Sequence, residues 1–219
     1  MLFITATDTG VGKTFFSQRL LEEAALHLDR REIAYYKPIQ CGKDKKELFG
    51  NIFYEADYQC IERSCPDIDS YCTYDFAYPA SPDYASALEN TIIDINKIVE
   101  DFKKLEKDYK FIVVEGAGGL AVPINDKELI SDIARALALP TLIVSRPVLG
   151  TINQTLLSIE HAQSKGLKVH SLIMAEENSV SEAMIEEQLK ASMESIERLS
   201  GIEFRGVGEI VQGFIESHN

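Results

Sequence analysis

A short apolar segment, a glycine-rich loop and a helical pattern follow one another at the start of this chain. Residues 4–14 read Ile-Thr-Ala-Thr-Asp-Thr-Gly-Val-Gly-Lys-Thr, an order typical of a phosphate-binding loop between a strand and a helix. One position departs from the usual G-x-x-x-x-G-K-[ST] pattern, because Thr7 replaces its first glycine. In a helix that begins here, backbone N–H groups would face the anion, Lys13 would add positive charge, and the Thr14 hydroxyl would bind Mg²⁺. The context favours nucleotide phosphate binding over an ordinary turn, with predicted contacts at Gly10, Val11, Gly12, Lys13 and Thr14.

Composition limits the classes of function that the chain can serve. With 219 residues and 45% hydrophobic content, we predict one α/β domain over residues 1–219. A net charge of −13 argues against binding to nucleic acid or to anionic membranes. We find no signal peptide and no apolar run near the roughly 18 residues of a membrane helix, and therefore expect a cytoplasmic protein. The four cysteines form no C-x-x-C pair, which favours free thiols over a zinc site.

Apolar runs alternate with helical patterns along the chain, which predicts a doubly wound, mostly parallel sheet flanked by helices. The predicted strands are 2–5, 33–36, 111–115, 141–145, 169–174 and 206–210, and the predicted helices are 94–107, 152–164 and 181–199. Residues 42–90 show little periodicity. We interpret them as a long irregular excursion near the substrate site, with a short helix near 54–63.

Glu115 stands at the end of an apolar strand, where parallel strands meet in one crevice. Its position and acidity favour a role in binding Mg²⁺, although a capped surface turn is the alternative. Gly116, Ala117 and Gly118 follow directly, and glycines allow backbone to approach a ligand closely.

Three further polar residues lie near the predicted crevice. Lys37 follows the strand at 33–36 and would neutralise a transferring phosphoryl group, but an exposed strand-end lysine is the commoner case. Asp57 lies in the short predicted helix, and Thr9 lies inside the phosphate loop. Position alone leaves the roles of these residues open.

Five motifs, taken in order, resemble the dethiobiotin synthetase family along most of the chain. They are 7–14 (TDTGVGKT), 37–42 (KPIQCG), 80–82 (ASP), 115–119 (EGAGG) and 149–153 (LGTIN). The resemblance implies a P-loop enzyme of biotin synthesis that acts on diaminopelargonate, CO₂ and ATP. One amine would form a carbamate, ATP would phosphorylate it, and the second amine would close the cyclic urea of dethiobiotin. No protein nucleophile is needed, so catalysis would depend on positioning and electrostatics.

The resemblance also implies roles for individual residues. Lys13 and Lys37 would flank the γ-phosphoryl and carbamate oxygens, and Thr9 would contact the substrate. Mg²⁺ would be held by Thr14, Asp57 and Glu115. The nucleotide would contact these residues, the phosphate loop and the backbone of Gly116, Ala117 and Gly118.

Family members are homodimers, which implies a substrate site shared between subunits. The diamine and carbamate would contact Cys41. The partner subunit would hold the substrate carboxylate at the start of a helix, where an anion is favoured; an ordinary helix cap is the alternative. The residues concerned are Gly150, Thr151, Ile152 and Asn153.

Two departures from the family pattern affect the expected ligand contacts. Cys41 replaces a hydroxyl residue, and a thiol is a poorer hydrogen-bond donor. Ala175 stands where the family has an asparagine that reads adenine, and residues 208–212 lack the proline of the corresponding family segment. We therefore expect normal phosphate binding with relaxed selectivity for the nucleobase.

The alternatives to this enzyme are another ATP-dependent ligase of the same broad P-loop class and a switch protein of a different functional class. Cobyrinate-type amide synthases usually need a glutaminase domain, for which 219 residues leave no room. Partitioning or positioning ATPases act as switches and carry a lysine five residues before the loop lysine, where this chain has Asp8. The switch ATPase remains the alternative to the enzyme.

Overall fold

Six strands form a single sheet in the computed structural model, which describes residues 1–42, 47–48, 51–52, 55–175 and 185–216. They are β1 Leu2–Ala6, β2 Ile33–Cys41, β5 Asp69–Phe76, β6 Phe111–Glu115, β7 Thr141–Ser145 and β8 Val169–Met174, with a separate antiparallel pair of β3 Glu47–Leu48 and β4 Asn51–Ile52. The order in the sheet is β5-β2-β6-β1-β7-β8, and all pairings are parallel. The phosphate loop therefore leaves a central strand.

Helices cover both faces of this sheet. They are α1 Lys13–Ala24, α2 Asp57–Ser64, α3 Pro82–Leu88, α4 Ile95–Asp108, α5 Ile130–Leu137, α6 Thr151–Ser164, α7 Glu186–Ser200 and α8 Val207–Glu216. The predicted doubly wound α/β sheet is confirmed. Among the helices of the described ranges, none is long and apolar enough to cross a membrane.

Successive side chains of a buried strand point to opposite faces of the sheet, so each face has its own hydrophobic cluster. In β2, Tyr35 packs in a cluster with Leu20 of α1 and Ile210 of α8, whereas Tyr36 packs on the other face with Phe102 of α4. Burying a large apolar side chain contributes about 1.5–3 kcal/mol, so both faces hold the strands firmly. The carboxyl ends of β1, β2 and β6 are thereby fixed relative to one another.

Most predicted elements are confirmed, with shifts at their ends. The strands at 2–5, 111–115, 141–145 and 169–174 and the helices at 94–107 and 152–164 agree with the structure within one residue at each end. The helix predicted at 181–199 corresponds to α7, although residues 181–184 lie outside the described residues. Tyr54 also lies outside them, and the helix predicted near it begins at Asp57.

The strand predicted at 206–210 is wrong, because residues 207–210 form the first turn of helix α8. Ile210, Val211 and Phe214 are buried in the cluster that contains α1, and their spacing fits one face of a helix. The extended backbone lies just before it, where Phe204 forms an isolated parallel bridge with Leu172 of β8. The short apolar run was ambiguous, as runs of this length often are.

The interpretation of residues 42–90 as irregular needs correction. They contain strand β5, paired along its length with β2, and helix α3, which begins at Pro82. β5 is an edge strand with mostly half-buried side chains, so it lacks the apolar run that marks an inner strand. The single-domain assignment over 1–219 stays a prediction.

Strand β2 is longer than predicted and continues through Lys37 to Cys41. Pro38 lies within this strand although proline lacks a backbone N–H. The pairing of β2 with β6 stops at Tyr36, however, while its pairing with β5 continues to Cys41. β2 therefore extends past the end of β6, which brings Lys37 beside Glu115.

Candidate active site

The phosphate loop connects the buried end of β1 to the first turn of α1. Gly10 and Gly12 both have left-handed backbone, with φ of 69° and 105°, which glycine adopts without strain. The Lys13 ammonium lies 3.5 Å from the carbonyl oxygen of Asp8. Burial, reinforced by the charge of Lys37, lowers the pKa of Lys13 to about 8. The loop thus presents a desolvated lysine beside a helix N-terminus, as an anion site requires.

Lys37 is the centre of an ionic cluster with Glu115, which is buried, and Asp57, which is half-buried. Its Nζ lies 2.6 Å from Oδ2 of Asp57 and 2.9 Å from Oε1 of Glu115, and it donates to the carbonyl of Gly116 at 3.2 Å. Lys37 is 3% exposed, which excludes the exposed strand-end lysine. Burial alone would lower the pKa of Lys37, but Asp57 and Glu115 outweigh it and raise that pKa above its ordinary value.

Thr14 lies between the same two carboxylates. Its Oγ1 is 3.0 Å from Oδ1 of Asp57 and 3.0 Å from Oε1 of Glu115. A hydroxyl has one proton, so only one of these contacts can be a hydrogen bond at a time. The other places two lone pairs face to face, an arrangement that a cation between them would relieve.

The oxygen atoms of Thr14, Asp57 and Glu115 form a set of ligands that fits Mg²⁺. Two carboxylates and a hydroxyl supply oxygen ligands, and this cation usually completes its shell with water and substrate phosphate. In the part of the chain that the structure describes, no three His, Cys, Asp or Glu side chains form a metal-binding group. A cation here would therefore depend on the nucleotide for further ligands.

Asp57 reaches the cluster from the first residue of α2. Its backbone N–H donates to Oε1 of Gln40 at 3.1 Å, and Gln40 is 4% exposed. Burial would raise the pKa of Asp57, but the ammonium of Lys37 outweighs it and lowers that pKa. Asp57 is therefore an anion, and two residues of β2, Gln40 and Lys37, fix its position.

Thr9 and the glycine loop after Glu115 lie against each other. A Cβ added at Gly118 would come within 3.6 Å of Thr9 Oγ1 and 2.9 Å of the Val122 side chain, and its φ of 69° is a backbone conformation that favours glycine. Arg146 approaches from the end of β7 and donates to the carbonyl of Thr9 at 2.8 Å.

Two predicted nucleotide contacts have side chains that pack into the core. The side chain of Val11 is buried in the core cluster that contains α1, which leaves its backbone for a phosphate. Ala117 packs against the core of the opposite face.

Cys41 ends β2, beside the segment that precedes α3. A Cβ at Gly42 would lie 2.9 Å from the Cβ of Pro79, so the motifs at 37–42 and 80–82 are close in space. Burial raises the pKa of Cys41 to about 12. Its side chain is therefore a neutral thiol, and all four cysteines are free.

The segment Gly150–Asn153 begins α6, as predicted. Gly150 caps the helix with a left-handed backbone, and Oγ1 of Thr151 is buried without a hydrogen-bond partner. The segment follows β7, two strands from Glu115 in β6, or roughly 10 Å at ordinary strand spacing. It therefore belongs to the same edge of the sheet but lies apart from the Lys37 cluster.

Four residues of the site were not predicted. Arg146 follows a buried strand, which was a usable signal, and Gln40 lies in the same motif as Lys37. Ser17 and Tyr35 both donate hydrogen bonds to Oε2 of Glu115, at 2.7 and 3.0 Å. A tyrosine inside a buried strand looks like any core residue, so its sequence carried no signal.

Comparison with solved structures gives the fold. The chain is similar to the MinD cell division protein of Aquifex aeolicus, with a TM-score of 0.53 and 18% identity, covering 93% of this chain and 79% of the other. It is also similar to a ParA family ATPase of Chlorobium tepidum, with a TM-score of 0.54 and 12% identity, covering 93% and 81%. At these identities the likeness shows a P-loop ATPase fold and nothing about activity.

Comparison of sequences gives the family. A family profile described as an AAA domain matches residues 1–210. The chain is 37% identical over 212 residues to the ATP-dependent dethiobiotin synthetase BioD of Methanocaldococcus jannaschii, covering 94% of this chain and 92% of the relative. It is 34% identical over 205 residues to the protein of the same name from Bacillus subtilis subsp. natto, covering 94% and 85%. The chain belongs to the ATP-dependent dethiobiotin synthetase family.

Proposed function

We propose that this protein closes the ureido ring of dethiobiotin from diaminopelargonate, CO₂ and ATP. The observation that carries the proposal is the buried ammonium of Lys37, held 2.6 Å from Asp57 and 2.9 Å from Glu115 beside the phosphate loop. Phosphoryl transfer concentrates negative charge, and fixed positive groups in a desolvated site stabilise it strongly. Relatives at 37% and 34% identity carry the name of this enzyme.

The proposed reaction has three steps. One substrate amine attacks CO₂ and loses a proton, which forms a carbamate. A carbamate oxygen attacks the γ-phosphorus of ATP and ADP leaves, giving a carbamic–phosphoric anhydride. The second amine then attacks the carbonyl carbon, the C–O bond to phosphate breaks, and the cyclic urea closes with loss of a proton. Lys13 and Lys37 would offset the charge on the oxygens that change partners.

Thr14, Asp57 and Glu115 would hold Mg²⁺ with the nucleotide phosphates. When bound, the ion would screen the phosphate charge and fix the orientation of the γ-phosphoryl group. These three residues would supply oxygen ligands from α1, α2 and β6. Lys37 would leave the carboxylates for the γ-phosphoryl group once the ion compensates them.

The substrate would lie between the Lys37 cluster and a partner subunit. Thr9 and Cys41 would contact the diamine and carbamate. Gly150, Thr151, Ile152 and Asn153 of the partner would bind the carboxylate tail, and the unpartnered Oγ1 of Thr151 supports this role. The protein would work as a cytoplasmic homodimer. Sedimentation should give a dimer, and a fully active monomer would contradict the shared site.

Selectivity for the nucleobase would be relaxed. Ala175 has no side-chain hydrogen-bonding group, and its backbone N–H donates to the carbonyl of Ser145 at 2.8 Å. A bidentate amide contact to a base contributes about 1–3 kcal/mol of discrimination. The values of kcat/KM for ATP, GTP and CTP should therefore be similar, and a preference for ATP of about a hundredfold or more would refute relaxed selectivity.

Product formation tests the proposed function. The protein is incubated with diaminopelargonate, bicarbonate and Mg-ATP, and dethiobiotin is measured by mass spectrometry. Lys37→Ala is the matched control and should abolish product while keeping most of the affinity for ATP. ATP hydrolysis that does not depend on the diamine, without dethiobiotin, would favour the switch ATPase instead.

A further inference from the structure

The two oxygens of the Glu115 carboxylate have different surroundings. Oε1 faces the ionic cluster, 2.9 Å from Nζ of Lys37 and 3.0 Å from Oγ1 of Thr14. Oε2 is turned away from it and accepts hydrogen bonds from Ser17 Oγ at 2.7 Å and Tyr35 OH at 3.0 Å. The side chain therefore presents one oxygen to the site and anchors the other in the core.

We propose that Tyr35 and Ser17 are positioning residues that fix Glu115 so that Oε1 faces the Mg²⁺–nucleotide complex. This inference rests on the proposed role of Glu115 in binding Mg²⁺ and deepens it. Neither hydroxyl would touch substrate or metal. Both act through the orientation of the carboxylate.

The fold explains why these two residues reach Oε2. Tyr35 pairs with Val113 of β6, two residues before Glu115, so its side chain lies on the same face of the sheet. Ser17 lies one helical turn after Thr14 in α1, which packs on that face. All three side chains belong to residues that are fully buried, so water cannot readily replace a lost donor.

The chemistry of the two donors suits an anion that must keep its charge. A buried carboxylate needs hydrogen bonds to be tolerated, and hydroxyl groups supply them without neutralising the charge as a second lysine would. Partners of this kind usually determine metal affinity by orienting the ligand.

The chain offers a matched control in the next residue. Tyr36 is also in β2 and 1% exposed, but its hydroxyl lies on the opposite face, 2.6 Å from Oγ1 of Thr73 and 3.2 Å from the carbonyl oxygen of Ile98. Tyr36→Phe and Tyr35→Phe remove the same atom from the same strand. Only Tyr35→Phe removes a donor from Glu115.

The experiment measures Mn²⁺ binding by electron paramagnetic resonance in the presence of a non-hydrolysable ATP analogue. Tyr35→Phe and Ser17→Ala should each weaken Mn²⁺ binding about tenfold, whereas Tyr36→Phe should stay within about twofold of the unmodified protein. Affinity for the same analogue in EDTA should be unchanged in all variants, because a general loss of structure would weaken that binding too. If Tyr35→Phe does not fold, Ser17→Ala carries the comparison.

The possible outcomes distinguish a failure of this inference from a failure of the proposed function. Equal Mn²⁺ affinity in the unmodified protein, Tyr35→Phe and Ser17→Ala would overturn the inference and leave dethiobiotin synthesis intact. A selective loss of Mn²⁺ affinity in a protein that makes no dethiobiotin would support the inference and refute the function. No Mn²⁺ binding by the unmodified protein with the analogue would overturn the metal site and the inference together.

Discussion

Replacement of Lys37 by methionine should leave the negative charges of Asp57 and Glu115 without the ammonium that compensates them. At an effective dielectric constant of about 20, unit charges at 2.6 and 2.9 Å attract each other by about 6 kcal/mol per pair. The cost of burying the charges offsets much of this, and breaking a buried ion pair by removing one partner costs about 3–5 kcal/mol. For a chain of 219 residues, that loss lowers the melting temperature by about 10 °C.

Divalent cations should then act differently on the two proteins. In the unmodified protein without nucleotide, Lys37 already occupies the carboxylates, so Mn²⁺ should leave the melting temperature nearly unchanged. In Lys37→Met, Mn²⁺ at about 100 times its dissociation constant should restore about 2.7 kcal/mol, which is half or more of the loss. Differential scanning calorimetry with and without Mn²⁺ measures both effects.

Lys104→Met is the matched control for the loss of a lysine. Lys104 is mostly exposed and pairs with Asp101 on α4 at 2.8 Å, and exposed pairs contribute little. Its removal should leave the melting temperature and its response to Mn²⁺ unchanged. A melting temperature of Lys37→Met equal to that of the unmodified protein, or equal stabilisation of the two proteins by Mn²⁺, would contradict this prediction.

Three further predictions concern other parts of the molecule. Glu115→Gln keeps the shape of the side chain but removes its charge, so the Mg²⁺ concentration for half-maximal activity should rise more than about tenfold; an unchanged Mg²⁺ titration would remove Glu115 from the metal site. Arg146→Ala removes the donor to the carbonyl of Thr9 and should raise KM for ATP about tenfold, because hydrogen bonds from charged groups contribute about 1.5–3 kcal/mol; an unchanged KM contradicts this. Burial and the charges of Arg205 and Lys168 lower the pKa of His170 below its ordinary 6.5, with Glu209 opposing them. The unfolded chain therefore binds more protons, and the contribution of His170 to stability is lost as the pH falls through about 6.5. Urea unfolding of His170→Gln should depend less on pH between 5 and 7, and equal slopes would refute this.

Much of the fold could be predicted because the inner strands are buried on both faces. Such strands are uninterrupted apolar runs, and the strands at 111–115 and 141–145 were located with their correct ends. Edge strand β5 has a half-buried, polar sequence and was missed. The segment 206–210 was assigned as a strand because a short apolar run does not distinguish a strand from a buried helix.

The site was partly predictable for a related reason. The carboxyl ends of parallel strands lie at the same edge of a sheet, and this rule alone predicts that Glu115 and the phosphate loop are close in space. Lys37 was expected at a strand end, yet it lies inside β2, because that strand extends past β6. Tyr35 and Ser17 could not be found, since their role depends on which carboxylate oxygen they contact.

The fate of a labelled oxygen distinguishes ring closure through a carbamic–phosphoric anhydride from simple ATP hydrolysis. The protein is incubated with diaminopelargonate, ¹⁸O-bicarbonate and Mg-ATP, quenched early, and both dethiobiotin and inorganic phosphate are analysed by mass spectrometry. If a carbamate oxygen attacks the γ-phosphorus, each dethiobiotin is accompanied by one phosphate that carries one ¹⁸O atom. Unlabelled phosphate released without dethiobiotin would mean that water attacks ATP, and would contradict the proposed ring closure.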